Sequence, residues 1–204
     1  MLFRLLLIIM LALPGAALAV GGGGGGGSGS GSGGGAGGSS DGGDGDRTAP
    51  PKTTNTSKEC ADGEYFDWSS KTCKKPREQG SVDDDILYRA VRELAYAGRH
   101  ESSLMLIAAM SEEAQNSDRV LTYLGFNYRK LGNVDLGLHY YRKALAINPD
   151  NILVRSYLGQ YYAETGAIEL ARAQLSEIRR RGGRNTWAEF ALRMAIDTGN
   201  GTNY

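Results

Sequence analysis

From Val82 onward, apolar residues return along the chain with a regular beat. Across Ile86 to Ala97, Leu104 to Met110, Val120 to Leu131, Val134 to Ile147, Ile152 to Ala163 and Ile168 to Ile178 they recur three and four positions apart, the spacing of one helix face. Strand alternation is nowhere sustained. Leu121, Leu124, Tyr128 and Leu131 form one stripe, and Val134, Leu138, Tyr141 and Leu145 form the next. The short break Leu131-Gly132-Asn133 between them predicts a tight turn, so these neighbours fold back antiparallel. A last amphipathic helix is predicted from Thr186 to Asp197, carrying Trp187, Phe190, Ala191 and Met194. Its expected role is to cap the end of the array.

A shift of 34 residues superposes Leu124-Gly125 on Leu158-Gly159, Tyr128 on Tyr162, Gly132 on Gly166, Val134 on Ile168 and Tyr141 on Leu175. One further shift backwards brings Gly98 into the turn position. Leu121, Leu124, Gly125, Tyr128, Gly132, Tyr141, Ala144, Leu145 and Pro149 fall at the signature spacing of the tetratricopeptide repeat family, which residues 118–151 therefore resemble. Residues 152–185 resemble it through Leu158, Gly159, Tyr162, Gly166 and Ala171. Residues 84–117 are a degenerate unit in which Val91 replaces the small glycine and no proline closes the repeat. The resemblance implies an all-α fold: a helical-repeat solenoid of about three antiparallel helix pairs with a capping helix at 186–198, together spanning 82–198.

A glycine inside a helix costs about 1 kcal/mol relative to alanine, so Gly125 and Gly159 need a compensating contact. Gly137 and Ala171 stand at the matching places of the second helices, where small residues let two axes come near the short end of the ~8–10 Å packing range. Tyr128 and Tyr162 then fill the wider end of the wedge, and Pro149 stops the second helix so that the next pair can stack.

The first 80 residues read differently. Met1 to Ala19 shows an early Arg4, an apolar run from Leu5 to Leu13, a Pro14-Gly15 break and the small-x-small pattern Ala17-Leu18-Ala19. This predicts a signal peptide over 1–19 cleaved after Ala19, hence a secreted and most simply periplasmic protein; the alternative is an uncleaved membrane anchor. From Val20 to Ser57 no large apolar residue organises packing, so 20–57 is expected to be a flexible Gly/Ser/Asp-rich linker. As a glycine-rich coil its reach would be roughly 30 to 40 Å.

Cys60 and Cys73 are the only cysteines of the chain. In a secreted protein an even count at short separation points to pairing, here as a stapled hairpin over 58–76 around Tyr65, Phe66 and Trp68. The closed loop would contribute about 3 kcal/mol in the chain-entropy model. Neither His100 nor His139 is near these thiols in sequence, and the C-x-x-C spacing of redox catalysts is absent.

Residues 81–204 carry 15 acidic and 15 basic side chains, without the cationic excess of a phosphate-binding surface, so nucleic acid is not an expected partner. No catalytic constellation, metal set or cofactor motif is present. Glu112-Glu113 and Asp83-Asp84-Asp85 sit at a helix end and a helix start, where Asp83 to Asp85 suit the macrodipole. Arg179, Arg180, Arg181 and Arg184 suit a last helical turn before a glycine stop, and alternatively form a patch for an anionic partner.

By the resemblance, the first helix of each repeat lines a concave groove. Its non-core face here shows Tyr88, Arg89 and Arg92, then Arg119, Thr122, Tyr123, Phe126 and Arg129, then Ser156, Tyr157 and Gln160. Aromatic and Arg side chains are enriched in binding hot spots. The resemblance thus implies a non-enzymatic scaffold that holds a peptide or protein partner, with pilus, secretion or envelope assembly as its setting. The family's carboxylate-clamp pattern of interleaved Lys and Asn is not reproduced. A second reading makes the Cys60 to Cys73 hairpin a glycan or surface-ligand binder through Trp68 and Tyr65, with the repeats as spacer. The sequence does not fix the oligomeric state and leaves peripheral envelope association open.

Overall fold

The structure is a computed structural model and describes residues 46–201. The expected signal peptide, the linker over 20–45 and the tail residues 202–204 lie outside the described residues. In chain order the elements are α1 (Asn55–Lys58), β1 (Tyr65–Asp67), β2 (Thr72–Lys74), α2 (Asp84–Tyr96), α3 (His100–Ala109), α4 (Glu112–Gln115), α5 (Asp118–Lys130), α6 (Val134–Ile147), α7 (Ile152–Glu164), α8 (Ile168–Arg180) and α9 (Trp187–Thr198).

Capping sets the helix starts. Asp83, Ser117, Asn133, Asn151 and Thr186 each accept a backbone N–H of the following first turn through the side chain. The first helix of each pair stops at the same kind of residue: Gly98, Gly132 and Gly166 have φ of +75°, +87° and +78°. A Cβ at any of the three would meet nothing within 4 Å, so these glycines serve backbone conformation rather than space. The sequence repeat is therefore also a repeat of turn geometry.

The helices pack as the pairs α2–α3, α5–α6 and α7–α8, with α9 laid against α7 and α8. In the middle pair the glycines are nested as expected. A Cβ at Gly125 would lie 2.4 Å from Tyr141 Cδ1, and one at Gly137 would lie 2.9 Å from the Gly125 carbonyl oxygen. In the next pair the expectation needs correction, because the nearest neighbours of Gly159 are Leu192 of α9, at 2.6 Å from a built Cβ, and Gln174 of α8. Gly159 thus makes room for the capping helix. That helix turns Ala188, Ala191, Leu192 and Ala195 inward and leaves Phe190 and Met194, expected on its core face, exposed.

The first pair is degenerate for a visible reason. After Ala109 the chain becomes extended at Met110, and Ser111 caps the separate short helix α4. The Asp84 carboxylate fixes that break by accepting from Ser111 N at 2.9 Å and Ser111 Oγ at 2.6 Å. One core runs from Tyr65 through α2, α3, α5 and α6 to Tyr157, and a smaller one joins Ala163, Ala171, Ile178, Leu192 and Ala195.

Cys60 and Cys73 are joined in a disulfide, and β1 and β2 pair antiparallel with Phe66 opposite Cys73. The hairpin is docked rather than freestanding. Tyr65 and Phe66 are buried, Gly63 N donates to Ser102 Oγ of α3 at 2.9 Å, and Arg99 donates to Cys60 O at 2.8 Å.

The expected linker is corrected over 46–57. Thr54 caps α1, and the buried Glu93 of α2 accepts from Thr54 N at 2.5 Å, Thr54 Oγ1 at 2.6 Å, Ser57 N at 3.0 Å and Ser57 Oγ at 2.5 Å. Polar anchoring orders a segment that has no large apolar side chain of its own to bury. Among the described residues, no helix is long and apolar enough to cross a membrane.

Candidate functional site

The first helices α2, α5 and α7 share a face, and most of the residues expected to line a groove meet there. Their rings form a ladder: Tyr88 to Tyr123 at 5.8 Å, Tyr123 to Phe126 at 6.4 Å, Phe126 to Tyr157 at 4.7 Å and Tyr96 to Phe126 at 6.0 Å between centroids. These separations suit edge-to-face and offset contacts. The Tyr96 and Tyr157 hydroxyls hydrogen-bond at 2.7 Å, which ties α2 to α7 across α5.

Burial divides the expected residues into two groups. Tyr123, Phe126, Tyr157 and Gln160 are 0–1% exposed, so they support the face instead of presenting themselves on it. Thr122 and Ser156 are buried too: Thr122 Oγ1 donates to Asp118 O at 2.7 Å, and Ser156 Oγ accepts from Gln160 Nε2 at 3.1 Å. Tyr88 and Arg92 are half-buried, while Arg89 and Arg119 are exposed. Arg119 lies over the Tyr88 ring at 4.7 Å and pairs with Asp85 at 2.6 Å. Burial holds the Tyr88 phenol well above its ordinary range, with Tyr123 adding to the effect, so it stays a neutral donor.

Arg129 is a buried cation. Its Nη1 donates to Glu164 at 2.7 Å across to α7, and Nε and Nη2 have no well-formed hydrogen bond among the described residues. Burial works against the charge there, yet the neighbouring Tyr141 and Glu164 outweigh it and the guanidinium is held cationic. Beside it, burial pushes the Lys130 ammonium down, reinforced by Arg129.

Arg92 does the most visible work. Its Nε donates to Tyr123 OH at 3.2 Å, and its Nη2 donates to the carbonyls of Ala49 at 2.8 Å and Arg47 at 3.3 Å. The segment 46–49 therefore lies against α2. Its other end sits on the N-terminus of α9, where Trp187 N donates to Asp46 Oδ2 and Ala188 N donates to Thr48 Oγ1 at 3.0 Å. Sequence reasoning missed Asp46, Thr48 and Glu93. The available signal was Glu93 itself, a charge on the apolar stripe of Leu87, Ala90 and Leu94.

The arginine cluster is mostly internally paired. Arg179 meets Glu189 at 2.6 Å, Arg180 meets Glu177 at 2.7 Å, and Arg181 bonds Glu177 and reaches Asp150 at 3.1 Å. Arg184 has no ion pair among the described residues. With Arg172, Leu175 and Ser176, three of these arginines line a depression of about 600 Å³. In the hairpin, Tyr65 is turned into the main core, whereas Trp68 is 67% exposed and meets Phe66 edge-on at 4.9 Å.

His100 Nδ1 contacts Asn127 Oδ1 at 3.1 Å, and His139 is exposed beside Tyr140. Among the described residues, no three His, Cys, Asp or Glu side chains are placed to hold a metal ion.

Residues 118–151 match the tetratricopeptide repeat. The matched stretch is the pair α5–α6 with its closing Asn148-Pro149, the unit in which the two glycines nest. Repeats of this kind are protein-interaction modules and are typically non-catalytic. No curated protein and no solved structure matches the chain.

Proposed function

We propose that this chain is a non-enzymatic interaction protein that holds a peptide or protein segment against the face shared by α2, α5 and α7. One observation carries the reading. The structure already holds a turn of the chain at the α2 edge of that face, residues 46–49, through Arg92 on one side and the α9 N-terminus on the other. A face that binds main-chain carbonyls and a helix end together has the chemistry of peptide recognition. The buried ring ladder beneath it supplies rigidity, so little ordering entropy is lost on docking. Secretion to the periplasm and a role in pilus, secretion or envelope assembly belong to the same proposal, supported by the Met1 to Ala19 pattern and the resemblance.

Site-specific photo-crosslinkers placed in native cells test it. A crosslinker at the exposed Arg89 of α2 is expected to trap a discrete partner that one at the exposed Lys143 of α6 does not. Equal trapping at both positions, or none at Arg89, would overturn the reading.

A further inference from the structure

Residues 46–51 form a unit with its own internal order. Asp46 Oδ1 accepts from Thr48 N at 2.9 Å and from Thr48 Oγ1 at 2.6 Å, and Ala49 N donates back to Asp46 O at 2.9 Å. The turn sets a carboxylate oxygen and a hydroxyl oxygen side by side. Both point at consecutive amides of α9, Trp187 N and Ala188 N, while the third amide of that turn, Glu189 N, is taken by Thr186 Oγ1 at 3.3 Å. The first turn of a 12-residue helix thus has its open donors filled from a segment about 140 residues away in sequence.

Within the same turn Arg92 captures two alternate carbonyls, Arg47 and Ala49, and Pro50-Pro51 then favours an extended exit. Thr48 is buried in this arrangement. The helix end and Arg92 come from opposite ends of the repeat array, α9 and α2, so they read the clip jointly.

We infer that the α9 N-terminus and Arg92 form a peptide-reading site whose ligand is a turn-forming segment of the pattern acid–x–hydroxyl–x–Pro, and that Asp46 to Pro51 is its resident cis ligand. The inference rests on the proposed interaction role and names the chemistry of the partner. A partner peptide with Asp or Glu two residues ahead of Ser or Thr supplies the same two oxygens to the same two amides. It must displace the resident segment, whose tethering gives it a high effective concentration and lowers the apparent affinity of any competitor.

The test uses the full chain carrying Asp46→Ala with Thr48→Ala, and a labelled synthetic peptide with the sequence of residues 45–52. Fluorescence anisotropy is expected to show saturable binding to the double variant at least about ten-fold tighter than to the wild type. Peptide addition is also expected to restore slow hydrogen exchange at the Trp187 and Ala188 amides. A control peptide with Asp46→Asn and Thr48→Val should bind at least about ten-fold more weakly, because both acceptors of the clip are altered. Adding Arg92→Gln to the double variant should weaken the native peptide to a similar degree. No saturable binding to the double variant, equal binding of the control peptide, or equal affinity for wild type and variant would each overturn the inference. If this test fails while Arg89 still traps a partner in cells, the interaction role stands and only the peptide code falls.

Discussion

At the scale of single residues, Gly125 shows how a local cost is turned to packing. Its helix-interior position forfeits about 1 kcal/mol against alanine. An added Cβ would fall 2.4 Å from Cδ1 and 2.5 Å from Cε1 of the fully buried Tyr141, with the Gly137 carbonyl at 3.0 Å. Ring and backbone cannot both yield. Gly125→Ala is therefore expected to lower stability by about 2 kcal/mol, the overpacking penalty outweighing the gain in helix propensity. Gly159 differs because its nearest neighbours are the terminal methyls of Leu192, which can re-rotate. Gly159→Ala should cost less than about 1 kcal/mol. Urea denaturation of both variants decides the order, and a Gly125→Ala protein as stable as wild type would show that α5 and α6 are not held at the nested distance.

Elements differ in how plainly they were written in the sequence, and the difference follows from the forces that order them. The paired helices α5 to α8 are apolar stripes closed by glycine turns, and periodicity alone exposes both. The ladder residues were legible as types but not by burial: a three-to-four spacing identifies one core face and is silent when a second face is covered as well, as at Tyr123 and Tyr157. Helix α1 and the clip before it left no periodic trace, since Thr, Ser and Asp are held there by hydrogen bonds to partners 36 to 141 positions away. Glu93 is the keystone of that polar anchoring, with four donors from Thr54 and Ser57 on one carboxylate. Replacing it by Gln keeps the shape but removes the charge and turns one acceptor into a donor facing donors. Glu93→Gln is expected to cost about 2–3 kcal/mol locally. Hydrogen exchange should show α1 released while α5 to α8 keep their protection; loss of protection throughout would mean that the segment is integral to the fold rather than strapped onto it.

For the whole molecule, the placement of its titrating groups predicts two sources of stability loss in acid. His100 is half-buried between α3 and α5, and burial pushes its imidazole below 6.5; the cations Lys130 and Arg129 of α5 act in the same direction, against the Asn127 hydrogen bond and Glu101 on its own helix. A base whose folded value lies below its unfolded one binds fewer protons when folded. The stability is then complete above pH 6.5 and declines as pH falls through the folded value. Three carboxylates act lower on the scale. Lys74 holds Asp67 below its ordinary 3.8, Arg180 holds Glu177 below 4.5 and Arg179 holds Glu189 below 4.5. Their contribution is present above those ordinary values and is lost beneath them. A melting-temperature profile should accordingly fall gently below pH 6.5 and again below pH 4.5. His100→Gln should flatten the first decline and leave the second untouched, because Gln can still meet Asn127 without acquiring a proton. A variant profile that keeps the upper decline would place its origin outside the α3–α5 contact.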